Sequence, residues 1–202
     1  MRPSAAICQR VTGPATEPIT LAEAKEHLRI DGTDRDAYIA ALITVVRERL
    51  EEETRRAFIT QQWTAWITGD FGIMSGVELP RPRLIADDFL LEYRNTNQTW
   101  IPASSYGVLA GREPAQLWLT AIPSAVDAPA HANDAVWRVT YWAGYGEAGA
   151  DVPGPIKAAM QLLLAHLHER PEILVSGSTI EMPKSMDWLL DSYRVPWEGA
   201  IK

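Results

Sequence analysis

The period of the apolar residues changes twice along the chain, and this change limits the possible folds more than any other feature. Over Leu21–Arg55 and again over Ile156–Leu167, apolar residues recur every three or four positions, which is typical of amphipathic helices. Over Ile59–Tyr145 the period is two, and the segment is rich in Trp, Tyr, Val, Ile and Thr separated by Gly, Pro and Asn. The sequence therefore predicts helices on either side of a block of strands.

The first two helices are predicted from signals at their ends. Thr20 followed by Glu23 is a capping-box pattern, which predicts a helix over residues 21–30 that stops at Asp31-Gly32. Thr33 or Asp34 is then expected to cap a second, longer helix that runs to about residue 55.

Two more helices are predicted near the C-terminus. Pro155 suits the first turn of a third helix, because its missing N–H would have no intrahelical partner there, and Pro171 ends this helix. Residues 183–193 predict a fourth helix with Met186, Leu189 and Leu190 in phase. An extended or irregular arm over residues 172–182 is expected between them.

The central block predicts an antiparallel sheet, because no helical pattern separates its strands and parallel β-α-β units need one. A Pro-, Thr- and Gly-rich lead-in up to Pro18 contains no predicted element, and Ala121–Asp134 is predicted to be a surface loop. The expected strands lie near Thr60–Ile67, Val77–Leu79, Phe89–Arg94, Thr99–Ile101, Tyr106–Leu109, Gln116–Thr120 and Val136–Trp142.

These elements predict an α+β protein, a helical bundle of about four helices with an inserted antiparallel β domain in the form of a small sandwich or barrel. The expected domains are residues 17–58 for the first helices, 59–150 for the β domain, and 151–202 for the C-terminal helices, arm and tail. A chain of 202 residues with 47% hydrophobic and 22% charged residues is long and apolar enough for one sizeable core or two small ones.

Several classes of protein are excluded by residue usage. Cys8 is the only cysteine, so an intramolecular disulfide is impossible and a reducing compartment is favoured. The chain shows neither a secretory signal nor the ~20 consecutive apolar residues of a membrane helix, so we expect no membrane partner. The net charge of −7 argues against tight, non-specific binding of nucleic acid.

No pattern in the sequence predicts catalysis, a cofactor or a metal. The glycines of Gly144–Gly149 match a dinucleotide motif, but they do not open directly into a helix. His166 and His168 lie roughly 200° apart around a helix and cannot chelate one ion together. Asp87 and Asp88 are adjacent on a strand and should point to opposite faces. An enzyme that uses His166 or Asp87 and Asp88 would therefore require a pocket that joins groups the sequence leaves apart.

Two surfaces and one alternative function stay open at this stage. The mixed-sign face of the second helix is typical of a solvated or subunit-facing surface. The C-terminal helix and Trp197 either fold back on the core or dock on a partner, for which Trp and Tyr are favoured anchors. Exposed Trp63, Trp100 or Trp118 would instead favour a ligand- or carbohydrate-binding β module with a helical cap.

The ordered set of segments resembles the head–tail connector proteins, also called adaptor or head-completion proteins, of long-tailed bacteriophages and phage-like gene transfer agents. The resemblance is to the longer type with an inserted β domain and spans residues 17–194. The segments that carry it are Glu17–Asp31, the helix beginning at Asp34, Ala57–Trp63, Val77–Pro82, Val139–Gly146, Val152–Met160 and Leu189–Arg194.

The resemblance implies a structural subunit of a virion or phage-like particle, without catalytic residues. Such subunits form a ring, commonly of twelve copies, beneath the portal protein at the capsid vertex and join it to a downstream connector, stopper or tail protein. Double-stranded DNA passes through the ring without sequence-specific binding, which fits the five arginines and nine acidic residues of Ile59–Ala150.

Two sets of residues are expected to make these contacts. The predicted ring interface is Arg47, Glu48, Glu51, Glu52 and Arg55. The predicted portal-docking residues are Ile173, Leu174, Val175, Trp188, Leu189, Tyr193 and Trp197.

Overall fold

The computed structural model describes residues 4–68, 71–73, 76–123, 126, 136–170 and 184–196, and only the backbone of residues 4–6, 86–88, 184 and 185. These residues form two compact units. The helical unit contains residues 14–59, 145–170 and 184–194, and the β unit contains the described residues up to 13, those within 60–144, and 195–196. Most of the predicted loop over Ala121–Asp134 lies outside the described residues.

The helical unit contains the four expected helices, which confirms this half of the α+β prediction. Single 3₁₀ turns precede the third helix, at Gly149–Asp151, and follow the fourth, at Asp191–Tyr193. The helices are α1 (Leu21–Leu28), α2 (Asp36–Thr54), α3 (Gly154–Glu169) and α4 (Lys184–Leu190).

The start of α1 follows the predicted capping box, but its end and the start of α2 do not follow the prediction. The Thr20 hydroxyl accepts the Glu23 N–H at 3.1 Å, and the Glu23 carboxylate accepts the Thr20 N–H at 2.7 Å. Helix α1 ends at Arg29, which takes the left-handed conformation (φ 56°) ahead of the expected Asp-Gly stop. Helix α2 begins after Arg35, and no side chain caps it.

The core of the helical unit is one continuous apolar cluster. Helix α2 buries a stripe with helical spacing against a matching stripe of α3, as the sequence period predicts. Met186 and Leu190 of α4 are fully buried in the same cluster. The stripes consist of Ile39, Leu42, Ile43, Val46 and Leu50 on α2, and Ile156, Met160, Leu163, Leu164 and Leu167 on α3.

Within the residues that the structure describes, the β unit contains eight strands in two antiparallel sheets. The five-stranded sheet has the order β1-β2-β8-β4-β5, and the three-stranded sheet has the order β3-β7-β6. All seven predicted strands are present. The strands are β1 (Ser4–Thr12), β2 (Gln61–Thr68), β3 (Val77–Leu79), β4 (Leu84–Arg94), β5 (Trp100–Pro102), β6 (Tyr106–Leu109), β7 (Ala115–Leu119) and β8 (Trp137–Ala143).

Strand β1 is the element that the sequence analysis missed. It lies in the N-terminal lead-in and pairs with β2 in antiparallel register, with Ile7 opposite Trp66 and Cys8 opposite Ala65. The first strand of the fold therefore precedes α1 in the chain, and the β unit is built from both sides of the first two helices.

The two sheets pack face to face and enclose the core of the β unit. Their inner faces carry buried residues such as Ala65, Val139 and Leu117. Two tyrosines link the sheets: the Tyr141 hydroxyl donates to the Pro80 carbonyl at 2.6 Å, and the Tyr106 hydroxyl donates to the Phe89 carbonyl at 3.2 Å. The buried Tyr141 hydroxyl thus bonds to the segment just after β3, and the partly buried Tyr106 hydroxyl bonds to β4, so both bonds hold the two layers together.

Candidate interaction surfaces

Two of the five predicted ring-interface residues lie in the interior of the helical unit. Arg47 is buried, with its Nε 2.8 Å from a Glu17 oxygen and one terminal nitrogen 2.9 Å from a Glu51 oxygen. Burial by itself lowers the pKa of Arg47, but the carboxylates of Glu51 and Glu17 outweigh it and raise the pKa above its ordinary value. Arg47 is therefore charged and neutralised inside its own chain.

Glu51 and Glu17 extend this contact into a network that joins three segments. The second oxygen of Glu51 accepts the backbone N–H of Phe58 at 2.8 Å. The second oxygen of Glu17 accepts the Thr44 hydroxyl at 2.8 Å. The network ties the segment before α1 and the segment after α2 to the middle of α2. Arg47 and Glu51 therefore stabilise the interior of the helical unit and do not form part of its surface.

The other three predicted ring residues are exposed on α2. Glu48, Glu52 and Arg55 all lie at the surface, and Glu48 reaches Arg47 only at 3.7 Å. Arg55 occupies the left-handed C-cap position at the end of α2 (φ 57°). The predicted ring surface thus reduces to these three side chains, and its contact with a neighbouring subunit stays a prediction.

Helix α4 presents one large side chain to solvent. Trp188 is 79% exposed, whereas Met186 and Leu190 on the opposite side are fully buried. Leu189 and Tyr193 are partly buried against the core of the helical unit. The other predicted docking residues, Ile173, Leu174, Val175 and Trp197, lie outside the described residues. Trp188 is accordingly the described docking residue that is free to contact another protein.

Arg194 fixes the turn after α4 to the end of α2. Its guanidinium contacts the carboxylates of Asp187 at 2.7 Å, Glu53 at 2.9 Å and Asp191 at 2.5 Å. The hydrogen bond to Asp187 is the main cause that raises the pKa of Arg194, with Glu53 adding to it. Because α4 is anchored in this way, the exposed indole of Trp188 projects from a fixed backbone.

The glycine-rich segment forms a turn, not a phosphate-binding loop. Helix α3 begins only at Gly154, after the 3₁₀ turn. The Thr16 hydroxyl donates to the Glu147 carbonyl at 2.9 Å, and the Ala148 N–H donates to the Asp151 carboxylate at 3.0 Å. Within the described residues, no three His, Cys, Asp or Glu side chains are grouped to hold a metal ion.

The tryptophans named for the alternative function do not line one cleft. Trp63 is buried on the inner face of the five-stranded sheet, with the Arg81 guanidinium 4.9 Å from its ring centre. Trp100 lies on the outer side of that sheet under the Arg138 guanidinium, at 4.5 Å. Trp118 lies on the outer side of the other sheet, against Gly107. This arrangement gives no support to a carbohydrate-binding module.

Comparison with known proteins gives a match to one protein family in the first half of the chain. Residues 18–101, from just before α1 into β5, match the model of the phage gp6-like head-tail connector protein family. The predicted resemblance to head–tail connectors is confirmed. No curated protein matches the chain.

Solved structures with the same fold cover nearly the whole chain. A chain from the neck of an empty gene transfer agent particle, computed with C6 symmetry, superposes with a TM-score of 0.71. Chains from the virion of a native gene transfer agent particle and from its neck computed with C12 symmetry give 0.69 and 0.65. Each match has 18% identity and covers 95% of this chain and 96% of the other. The α+β fold is therefore shared over both units.

None of the described helices combines the length and the apolar character that crossing a bilayer requires.

Proposed function

We propose that this chain is a non-catalytic subunit of the ring that connects head and tail in a phage or phage-like particle. The observation that carries the proposal is the fold, which matches neck proteins of gene transfer agent particles from one end to the other. The family match over residues 18–101 adds independent support from the sequence. The subunit is made in the bacterial cytoplasm and takes its place at the head–tail junction of the assembled particle.

The proposed assembly is a ring, with twelve copies as the expected number. Copies of one chain close into a ring when one surface of each subunit meets a different surface of the next. The exposed α2 residues Glu48, Glu52 and Arg55 are the proposed contribution of the helical unit to this contact. Arg47 and Glu51 contribute indirectly, because they hold α2 in place.

The ring is proposed to let double-stranded DNA pass without gripping it. Non-specific affinity for DNA comes from Lys and Arg side chains that replace condensed counterions on the phosphates. In this chain several arginines already face carboxylates: Arg47 contacts Glu51, Arg138 contacts Glu92, and Arg194 contacts three acidic residues. Locally neutralised arginines suit a conduit that must not hold its cargo.

The proposed portal contact is made by Trp188 and the residues around it, with a downstream connector, stopper or tail protein on the other side of the ring. The point variant Trp188→Ala tests this contact better than a truncation, because removing α4 would also remove the buried Met186 and Leu190. We expect Trp188→Ala to weaken binding to the purified portal protein at least tenfold while the melting temperature stays unchanged. Leu162→Ala, at another exposed site in the helical unit, is the control. Equal portal binding by both variants would contradict the assignment.

The proposed function as a whole is tested by deleting the gene in a strain that produces the particles. We expect DNA-filled heads without tails in electron micrographs, and restoration of complete particles when the gene is supplied from a plasmid. Complete, tailed particles from the deletion strain would overturn the proposal.

A further inference from the structure

The outer side of the five-stranded sheet is apolar although it faces away from the core. We call it the broad outer face and define it by six side chains that point away from the three-stranded sheet. The strand register places Ile7 beside Trp66, Trp142 beside Ile85, and Leu90 beside Thr140. Ile7, Ile85 and Leu90 are exposed and the indoles are partly exposed. The six are Ile7, Trp66, Ile85, Leu90, Trp100 and Trp142.

Four polar residues on this face form two pairs within the chain. Arg138 contacts Glu92 through two hydrogen bonds of 2.6 and 3.0 Å, and the hydroxyls of Thr64 and Thr140 bond to each other at 2.9 Å. Aromatic residues and Arg are enriched in protein–protein interfaces, whereas Lys, Glu and Asp are depleted. Among the described side chains, the broad outer face has this composition.

Strand β1 forms one margin of the same face. It is nine residues long, and within the described sheet it lies beside β2. Ile7 on this strand is 61% exposed and lies next to Trp66. The apolar surface of the broad outer face therefore extends to the margin of the sheet.

The outer side of the three-stranded sheet carries both apolar and polar side chains. We call it the narrow outer face and define it by Glu78, Gly107, Leu109, Gln116 and Trp118. The indole of Trp118 lies directly on Gly107, where a Cβ atom would overlap the ring. Leu109 is 48% exposed beside it. A flat indole and an exposed leucine form a second, smaller apolar surface.

The two outer faces lie on opposite sides of the same two-layer unit. An association that uses one face on each subunit in a self-complementary way closes at a dimer, whereas an association of one face with the other leaves a free face at each end. Repeated around an axis, the second kind of contact generates a ring. If the partner were a different protein, two separate contacts would be needed to cover the two faces. A repeated contact between copies of this chain covers both faces.

We propose that the broad outer face of one subunit packs against the narrow outer face of the next copy of this chain. The proposal rests on the proposed ring and names the surfaces that close it. Charges of opposite sign lie on the two faces: the broad face carries Arg94, Arg138 and Glu92, and the narrow face carries Glu78. The solved necks with C6 and C12 symmetry contain copies of similar chains around an axis, which fits a contact that repeats.

The test compares three leucines of similar exposure. Leu90 on the broad face is 43% exposed, Leu109 on the narrow face 48%, and Leu162 on α3 of the helical unit 41%. Purified wild type, Leu90→Glu, Leu109→Glu and Leu162→Glu are compared by native mass spectrometry and negative-stain microscopy at equal concentration. We expect rings for the wild type and Leu162→Glu, and an at least tenfold lower ring fraction for Leu90→Glu and Leu109→Glu. Melting temperatures and far-UV circular dichroism show whether each variant is folded.

Mixing the two interface variants tests whether the broad outer face of one subunit contacts the narrow outer face of the next. An intact broad face remains on Leu109→Glu and an intact narrow face on Leu90→Glu, so an equimolar mixture should stop at a one-to-one dimer. If the broad face paired with itself, Leu109→Glu alone would dimerise, and this result would overturn the proposal. Rings formed by both variants as efficiently as by the wild type would also overturn it and leave the connector function standing.

If a glutamate substitution prevents folding, cross-linking tests the same contact. In a Cys8→Ser background, the double variant Leu90→Cys and Leu109→Cys should give a ladder of disulfide-linked oligomers, and Leu90→Cys alone should not. A wild type that stays monomeric at high concentration, together with the absence of a ladder, would overturn the proposal. Failure of the connector function is recognised separately, by complete particles from the deletion strain.

Discussion

Two arginine–glutamate pairs show how differently the two units use charge. In the helical unit, Arg47 and Glu51 are both buried, and their remaining polar atoms contact other segments of the same chain. In the β unit, Arg138 and Glu92 form a pair of 2.6 Å on the outer side of the five-stranded sheet, where Glu92 is buried but Arg138 is partly exposed and also covers Trp100. The first pair organises a fold, and the second neutralises a surface.

The difference indicates what each unit contributes. A buried ion pair is costly to break because the remaining partner cannot be solvated, so it specifies one arrangement of its neighbours. A pair at a surface contributes less to stability and leaves the face without free charge. The helical unit is thus specified by contacts inside its own chain, whereas the broad outer face of the β unit is suited to being covered.

The largest expected effect comes from breaking the buried pair. Glu51→Ala leaves the Arg47 guanidinium with one carboxylate fewer and the Phe58 N–H without its acceptor, so we expect it to lower the free energy of unfolding by about 3–5 kcal/mol. The measurement is urea denaturation followed by far-UV circular dichroism.

The matched control is Glu48→Ala, one turn earlier on the exposed side of α2. Its effect should stay within about 0.5 kcal/mol, as is usual for surface substitutions. Equal losses for the two variants would show that Glu51 is not the structural member of the network.

The sequence predicted the elements whose signals lie within a few residues, and it missed features that depend on a distant partner. The capping box of α1 needs only Thr20 and Glu23, and it was predicted correctly. The seven strands were predicted because alternation and turn residues are visible within a few positions. Strand β1 was missed because its evidence is its partner: Ser4–Thr12 becomes a strand by pairing with β2, which follows two helices later.

The burial of Arg47 and Glu51 was also hidden from the sequence. On a helix, a run of mixed charges is usually solvated, and the prediction treated all of these residues as one exposed face. What places Arg47 inside is Glu17, thirty positions away and before α1. The end of α1 was missed for a different reason: Arg29 holds a left-handed position where glycine is the preferred residue.

A smaller effect is expected at the surface pair. Glu92→Ala removes both hydrogen bonds to Arg138 but leaves its guanidinium over Trp100 and open to water, so we expect a loss of about 1 kcal/mol. The loss should shrink in about 1 M salt, where the screening length falls to roughly 3 Å. The loss at Glu51 should be insensitive to salt because that pair is buried. A Glu92→Ala effect as large as that of Glu51→Ala would remove the distinction between the two pairs.

The smallest effect is expected from substitutions at the ends of α1 and α2. Comparing these two helix ends distinguishes an effect on stability from an effect on assembly. Arg29 after α1 and Arg55 after α2 have nearly the same left-handed backbone, with φ of 56° and 57°. Glycine adopts this conformation without the steric cost of a Cβ atom, so Arg29→Gly and Arg55→Gly should each raise stability by about 0.5–1 kcal/mol in thermal denaturation. Only Arg55 belongs to the proposed ring surface of α2, so only Arg55→Gly should lower the yield of rings. If both variants assemble as the wild type does, the end of α2 takes no part in the ring, and the contact is confined to the β unit.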